Sequence, residues 1–405
     1  MSADEFLKVQ RDIEDAAVPR RSHPKGWEPG VDTAKGVVTA VSDASTPPSD
    51  WSDIIRELGL DPNAWSVDES QPVQIRTWDV GTPPTRMYYY KATVIPCRDS
   101  DESPDIEALI REVKKRKPGK PPANPLQERA LVVCLADWQA GKGDGEGTGV
   151  EQLLERLWAL RDAVPARVKE LRKAGIEVST ITVLSMGDLS ESCDGHYAAQ
   201  TFQVELDYRQ QARLVRRMLV EMLSEWVKLA PNMQVACVPA NHGERRKNGK
   251  MFTNWGDNTD VEVFEIVREA LSHNPDVFGH IRWAIPDQEQ HVTIDVCGTV
   301  IGIIHGHQFR QGNGPQGKAM NWWKNMALNR AAIGDADVMV SGHFHHLQVL
   351  GEGVEGSPKG RTWMQCPALD CGSEWWEHMG GAPTQQGTLT FTADANGWDN
   401  LKVLR

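Results

Sequence analysis

Five short clusters of oxygen- and nitrogen-bearing side chains punctuate the chain: Asp137-Trp138-Gln139, Gly187-Asp188-Leu189-Ser190-Glu191, Asn241-His242-Gly243-Glu244, His305-Gly306-His307 and Gly342-His343-Phe344-His345-His346. Carboxylate and amide oxygens combined with imidazole nitrogens form the donor set of divalent metal sites. Taken singly, each cluster reads as well as turn or cap chemistry. Five of them, each ending an apolar run, point instead to convergence on cations. One reaction such a set suits is phosphate ester cleavage. Phosphate oxygens repel an incoming anion; two cations about 3.5–4 Å apart neutralise that charge, make hydroxide available near pH 7 and clamp the in-line transition state.

The elements that must position these side chains are legible as alternating strands and helices. Ala130–Ala136, Ile176–Met186, Gln234–Ala240, Val300–Ile304 and Asp337–Val340 read as buried strands. Gly149–Ala174 predicts a helix on the spacing of Leu153, Leu157 and Leu160, with Pro165 a candidate break. Phe202–Leu229 reads as a long amphipathic helix, Asn258–Ser272 as a helix capped by Asp257 or Asn258, and Gly317–Ile333 as helical. His291–Val296 and Val300–Ile304 pair as a hairpin, and Thr362–Leu404 is mostly strand and turn. This order argues for an α/β or α+β sandwich. In open α/β sheets ligands gather beyond the carboxyl ends of the strands, where the five clusters lie.

The N-terminal third has another texture. Residues 1–50, rich in Pro, Ser, Gly and charge, read as a mobile or loosely packed arm. Residues 51–97 read as a small unit: a helix over Trp51–Leu60, then a hairpin of Pro72–Val80 and Arg86–Pro96. Its Trp78 and Tyr88-Tyr89-Tyr90 either form a contact face or hold the hairpin together. Residues 98–128, with the basic run Lys114–Lys117 and Pro118–Pro125, read as a linker, and 129–405 as the catalytic domain.

The series of clusters resembles the calcineurin-like metallophosphoesterase superfamily, whose motifs run D-x-H, G-D-x-x-D, G-N-H-E/D, H-G and G-H-x-H. The resemblance covers about Leu131 to Val349 and implies a four-layer αββα sandwich, here with a small N-terminal α+β appendage. It implies that Asp137, Gln139, Asp188 and His345 hold one metal, and that Asp188 bridges to a second held by Asn241, His305 and His343. It gives His242 the leaving group and Glu191 the orientation of that histidine, with direct attack by a metal-bridging hydroxide. Four positions depart from the pattern. Gln139 stands where the family has His, which favours a harder ion, so two Mn²⁺ ions are expected, with Mg²⁺, Fe or Zn²⁺ as alternatives. Glu191 replaces Asp; Ala240 replaces Gly, and Gly243 sits where an acid is common. The Asn-His-Gly variant resembles phage-encoded members.

The formal net charge of −12 argues against a chain-wide basic surface, although Arg245, Arg246, Lys247 and Lys250 follow His242 as a local basic stretch. That stretch favours a polyanion, so the expected activity is a DNA nuclease similar to the superfamily's DNA-repair exonucleases, with Arg245 and Arg246 as substrate contacts. A phosphatase or phosphodiesterase on small molecules or phosphoproteins is the alternative, and a binding protein with a decayed site a third reading. His307 and His346 read as supporting or solvent-facing, and Asp194 and His196 as either reaching the site or shaping a loop. Trp255, Trp322, Trp323, Trp375 and Trp376 read as core, with base stacking as the alternative. Seven scattered cysteines without a CxxC pair argue against a disulfide framework or thiolate zinc site and fit a reducing cytoplasm, the host's if phage-encoded. No apolar segment approaches the roughly 20 residues of a membrane span.

Overall fold

The computed structural model describes residues 23–24, 26–32, 36–48, 50–57, 62, 65–68, 71–80, 84–96, 106–119, 125, 127–143, 149–197, 200–247, 249–354, 357–370 and 385–405. The chain divides into two compact units, residues 1–100 and 101–405. Cys97, Cys371, Trp375 and Trp376 lie outside the described residues.

The first unit contains β1 (Gly30–Asp32), β2 (Val37–Ser42), helix α1 (Ser52–Glu57), β3 (Trp65–Val67), β4 (Gln74–Val80) and β5 (Thr85–Pro96). β5 is the spine: β2, β3 and β4 all pair with it antiparallel. The hairpin expected from the sequence is the β4–β5 ladder. Its aromatics hold the unit together, since Trp27 packs on Trp78 and Tyr89 at centroid distances of 5.6 Å and Tyr90 is fully buried. Within the stretch read as an arm, Gly30–Asp32 and Val37–Ser42 are strands. The β-branched, apolar sequence of β2 buries Val38 and Ala40 and outweighs the polar composition around it.

The second unit begins with α2 (Ile106–Lys115), inside the stretch read as a linker. Leu109 and Val113, one turn apart, are buried, and the side chain of Asn274 bonds the carbonyls of Val113 and Arg116. The lysines that suggested a solvated run sit at the helix C-terminus, where cations suit the helix dipole.

Next come β6 (Arg129–Ala136), α3 (Val150–Lys173), β7 (Thr180–Gly187), a 3-10 turn (Gln200–Phe202), α4 (Tyr208–Trp226), β8 (Asn232–Cys237), the short strands β9 (Arg246–Lys247) and β10 (Lys250–Met251), and α5 (Thr259–Ser272). They are followed by α6 (Pro275–Phe278), β11 (Ile281–Ala284), β12 (His291–Val296), β13 (Thr299–Ile304), α7 (Gly314–Leu328), a second 3-10 turn (Ala332–Asp335), β14 (Val338–Ser341), β15 (Gln348–Val354), β16 (Ser357–Gln365), β17 (Thr388–Asp394) and β18 (Gly397–Leu404). Pro165 does not break α3: the buried stripe Leu153, Leu157, Leu160, Val164, Val168, Leu171 carries the helix across it, despite a proline cost of about 3 kcal/mol. Asn258 caps α5, its side chain accepting the Asp260 N–H.

The strands form a six-stranded sheet, β11-β8-β7-β6-β17-β18, and a five-stranded sheet, β12-β13-β14-β16-β15. β11, β8, β7 and β6 run parallel, as do β13, β14 and β16; the remaining pairs are antiparallel. Alternation along β6 sorts its two faces. Ala130, Val132, Cys134 and Ala136 pack with Ile301, Ile303, Val338 and Val340 of the other sheet. Leu131, Val133 and Leu135 pack with Leu157, Leu219 and Phe264 of the helices. On the far side α7 covers the five-stranded sheet through Ala319 and Trp323 against Met339 and Trp363. The result is the four-layer αββα sandwich that the resemblance implies. Among the described residues no helix is long and apolar enough to cross a membrane, and Cys134, Cys193, Cys237, Cys297 and Cys366 are unbridged.

Candidate metal centre

The five clusters begin at or just beyond the carboxyl ends of β6, β7, β8, β13 and β14, all members of parallel ladders. Their backbone is unusual. Asp137, Gln139, Asp188, His343 and His345 have φ of 52°, 47°, 51°, 73° and 61°, the left-handed region that non-glycine residues seldom enter. Such strain persists only where surrounding bonds fix it. Here Asp137 N donates to Gly187 O and Gln139 N to Asp188 O, both at 3.0 Å, while Gly342 N donates to His305 O at 2.8 Å. Gly342 also admits Asp137: a Cβ there would lie 2.8 Å from Asp137 Oδ2.

Four electron-rich atoms meet around His305. Its Nδ1 lies 2.7 Å from the Met186 carbonyl, which accepts only an N–H, so the proton of a neutral ring sits on Nδ1. Its Nε2 then faces Asp188 Oδ2 at 3.0 Å, Asn241 Oδ1 at 2.8 Å and His343 Nδ1 at 3.2 Å. Lone pairs at these separations need a proton or a cation between them. Asp188, His305 and His343 are the one group of three His, Cys, Asp or Glu among the described residues whose donor atoms lie within 4.8 Å of one another. Burial alone would neutralise His305, but the Asp188 carboxylate raises its pKa to about 9. Burial likewise acts to raise Asp188, and the charges of His305 and His242 override it and hold the carboxyl well below the usual range. Carboxylate, amide oxygen and two imidazoles fit a divalent ion.

The other expected ligands are arranged differently. His345 Nε2 is 3.5 Å from Asp137 Oδ1, and both Asp137 oxygens accept the His343 main-chain N–H, at 3.2 and 3.1 Å. Gln139 Oε1 accepts a hydrogen bond from Lys142 Nζ at 3.3 Å, and that ammonium is paired with Asp370 at 2.6 Å. Neither Lys142 nor Asp370 carries a motif signal.

His242 sits beside this group. Its N–H donates to Asp188 Oδ1 at 2.8 Å, so Asp188 engages His242 and His305 with different oxygens. Its Nδ1 is 2.6 Å from the main-chain oxygen of Glu191 and 3.5 Å from the Glu191 carboxylate. The structure thus brings Glu191 to the expected histidine, with the carbonyl making the shorter contact and the buried carboxylate adding charge. Tyr197 and Gln200 donate to Glu191 Oε1 at 2.8 and 3.3 Å. Burial opposes protonation of His242, but the charges of Glu191 and Asp188 raise its pKa. The His196 ring stacks on His242 at 4.5 Å, with both its nitrogens buried and unbonded. Asp194 is exposed.

No family model matches the chain, and no curated protein does. Solved structures similar to it include the zinc complex of Vps29 from Entamoeba histolytica, at 11% identity, covering 68% of this chain and 99% of that one, with a TM-score of 0.28. A predicted phosphoesterase from Streptococcus pneumoniae is 11% identical over 65% of this chain and 82% of that one, TM-score 0.25. The sulfate thiohydrolase SoxB of Thermus thermophilus is 12% identical over 69% and 57%, TM-score 0.27. Likenesses this low bear no weight on the chemistry, which rests on the sheet order and the side chains.

The segment after His242 explains one departure from the family pattern. A Cβ on Gly243 would lie 2.2 Å from the Asn258 side-chain oxygen that caps α5, so no acid fits there. The acid comes one residue later: Glu244 is buried, 3.4 Å from His307 and 2.7 Å from Arg246. Arg245 in turn bonds Thr259 at 2.9 Å and Glu262 at 3.0 Å. The two arginines expected to bind substrate therefore have partners within the protein. Lys247 and Lys250 of the β9–β10 pair are exposed, as are Phe252 at 64% and Trp255 at 45%. Trp323 is core, donating to Ile333 O at 2.7 Å, and Trp322 packs on Phe309.

Proposed function

We propose that the protein is a metal-dependent phosphoester hydrolase acting on DNA as a nuclease. The observation that carries the hydrolase reading is the meeting of Asp188, Asn241, His305 and His343 with His242 anchored on the second Asp188 oxygen. A divalent cation held there supplies neutralisation of phosphate charge and lowers the pKa of water; Mn²⁺ is the first ion to test, with Mg²⁺, Fe²⁺ and Zn²⁺ beside it. Asp188 fixes the His242 backbone. The Glu191 carbonyl fixes the His242 ring through Nδ1, which leaves Nε2 to give a proton to the departing oxygen. The neighbouring carboxylates favour the protonated ring this step needs.

The nuclease reading is supported by the exposed Lys247, Lys250, Phe252 and Trp255 that follow His242. Cations along a backbone and aromatic faces for bases are the ordinary means of holding a single strand. A second reading, a phosphatase for small phosphate esters, is favoured by the internal pairing of Arg245 and Arg246 and by the net charge of −12. A matrix of metals against substrates separates them. Mn²⁺-dependent cleavage of single- or double-stranded DNA selects the nuclease. Turnover of an aryl phosphate without DNA cleavage selects the phosphatase. No metal uptake and no turnover would leave only a protein whose site has decayed.

A further inference from the structure

We infer that the centre takes one divalent cation, around Asp188, and that the Lys142 ammonium is the fixed positive charge standing where a two-cation site has its other metal. The inference rests on the metal-hydrolase reading above and departs from the two ions that the family resemblance implies.

The Gln139 side chain is already engaged. An ammonium has three donors and no acceptor, so its contact with the Gln139 side chain, 3.3 Å from Nζ, has to be to the amide oxygen. The amide oxygen is also the atom a metal would use. Lys142 is in turn held by Asp370 at 2.6 Å, and Gln139, Lys142 and Asp370 are 6%, 6% and 3% exposed, so this contact is built into the interior and not a surface encounter. A dication on the remaining lone pair of the same oxygen would face the ammonium with little water to screen the repulsion.

A second observation is independent of Lys142. The donors proposed for the other metal are not gathered as the first set is. Among the described residues only Asp188, His305 and His343 bring three such donor atoms within 4.8 Å of each other. Asp137 shares the His343 N–H between its two carboxylate oxygens, and His345, another of the proposed ligands, approaches it only to 3.5 Å. The Asp137 carbonyl accepts the Asp370 N–H at 3.2 Å, so the Lys142–Asp370 pair is tied to the same strand end. The residue change at 139 and the lysine at 142 then belong together. An imidazole at 139 would bind a metal and repel a neighbouring ammonium when protonated, whereas an amide oxygen accepts the ammonium directly.

The test is metal stoichiometry, which does not require a known substrate. Metal-free full-length protein is titrated with Mn²⁺ by calorimetry, and the Mn²⁺-loaded protein is examined by electron paramagnetic resonance. One equivalent and the spectrum of an isolated ion are expected. Two tight equivalents with an exchange-coupled spectrum overturn the inference. No uptake overturns both it and the metal-hydrolase reading. One ion bound without hydrolysis of any phosphate ester overturns that reading and leaves this one standing. In Lys142→Met, which keeps the stem and removes the charge, a second equivalent is expected; a folded variant that still binds one equivalent refutes the role given to Lys142. If that variant does not fold, Lys142→Met with Asp370→Asn, which leaves neither charge unpaired, is read in the same way.

Discussion

The Asp260 carboxylate accepts the main-chain N–H of Asp188 at 3.1 Å, and with its other oxygen that of Leu189 at 3.0 Å. The helix that Asn258 caps thus holds the left-handed turn on which the candidate metal centre is built. Burial, then the charge of Asp188, raises the Asp260 pKa to about 7. Asp260→Ala leaves two buried donors unpaired, at about 1–3 kcal/mol each. We expect the urea midpoint of metal-free protein to fall accordingly and Mn²⁺ affinity to weaken. An unchanged midpoint would remove Asp260 from this role.

His242→Ala should bind metal as the wild type does, because its ring is not among the atoms around His305. Turnover should fall by about 10²–10⁴, the ordinary contribution of a general acid. Parallel metal analysis and initial rates check both halves; wild-type turnover would end the assignment.

Asp188→Asn keeps the shape of the side chain and removes the charge opposite His305. The loss of Mn²⁺ affinity should exceed the roughly 10–100-fold typical of residues that only support a ligand. Calorimetry reads this directly, and wild-type affinity would contradict the placement of Asp188 at the centre.

His196 makes the metal-free protein sensitive to acid. Burial, and then the neighbouring His242, lower its pKa to about 3, whereas an unfolded histidine titrates near 6.5. Between these values the unfolded chain takes up a proton that the folded chain refuses. The contribution is therefore intact above about pH 6.5 and is lost as pH falls towards 3. His196→Phe, which keeps a ring against His242, should lose less stability between pH 7 and 5, by at most about 2 kcal/mol. Urea curves at both pH values test this; identical slopes in the two proteins would reject it.

The centre was legible in the sequence to the extent that its parts are local. Asp137, Asp188, Asn241, His305 and His343 each come at the end of an apolar run, and a strand carries its last residues to the edge of the sheet. Glu191 was legible by its motif position, though not the use of its carbonyl towards His242. Lys142 and Asp370 were invisible because 228 residues separate them, and neither stands out alone. Arg245 looked free for the same reason: Glu262, which neutralises it, lies 17 residues away across the turn into α5. Composition misled at β2 and α2, where a few buried apolar side chains decide the structure and the surrounding charge does not.

Asp188 and Asn241 follow strands of the six-stranded sheet, and His305 and His343 follow strands of the five-stranded one. An ion gripped by all four is a rivet through both layers. Sliding one sheet over the other, or peeling them apart, first requires letting go of it. Loading with metal should therefore harden the whole sandwich against heat and proteases, by an amount set by how far the ion's concentration exceeds its dissociation constant.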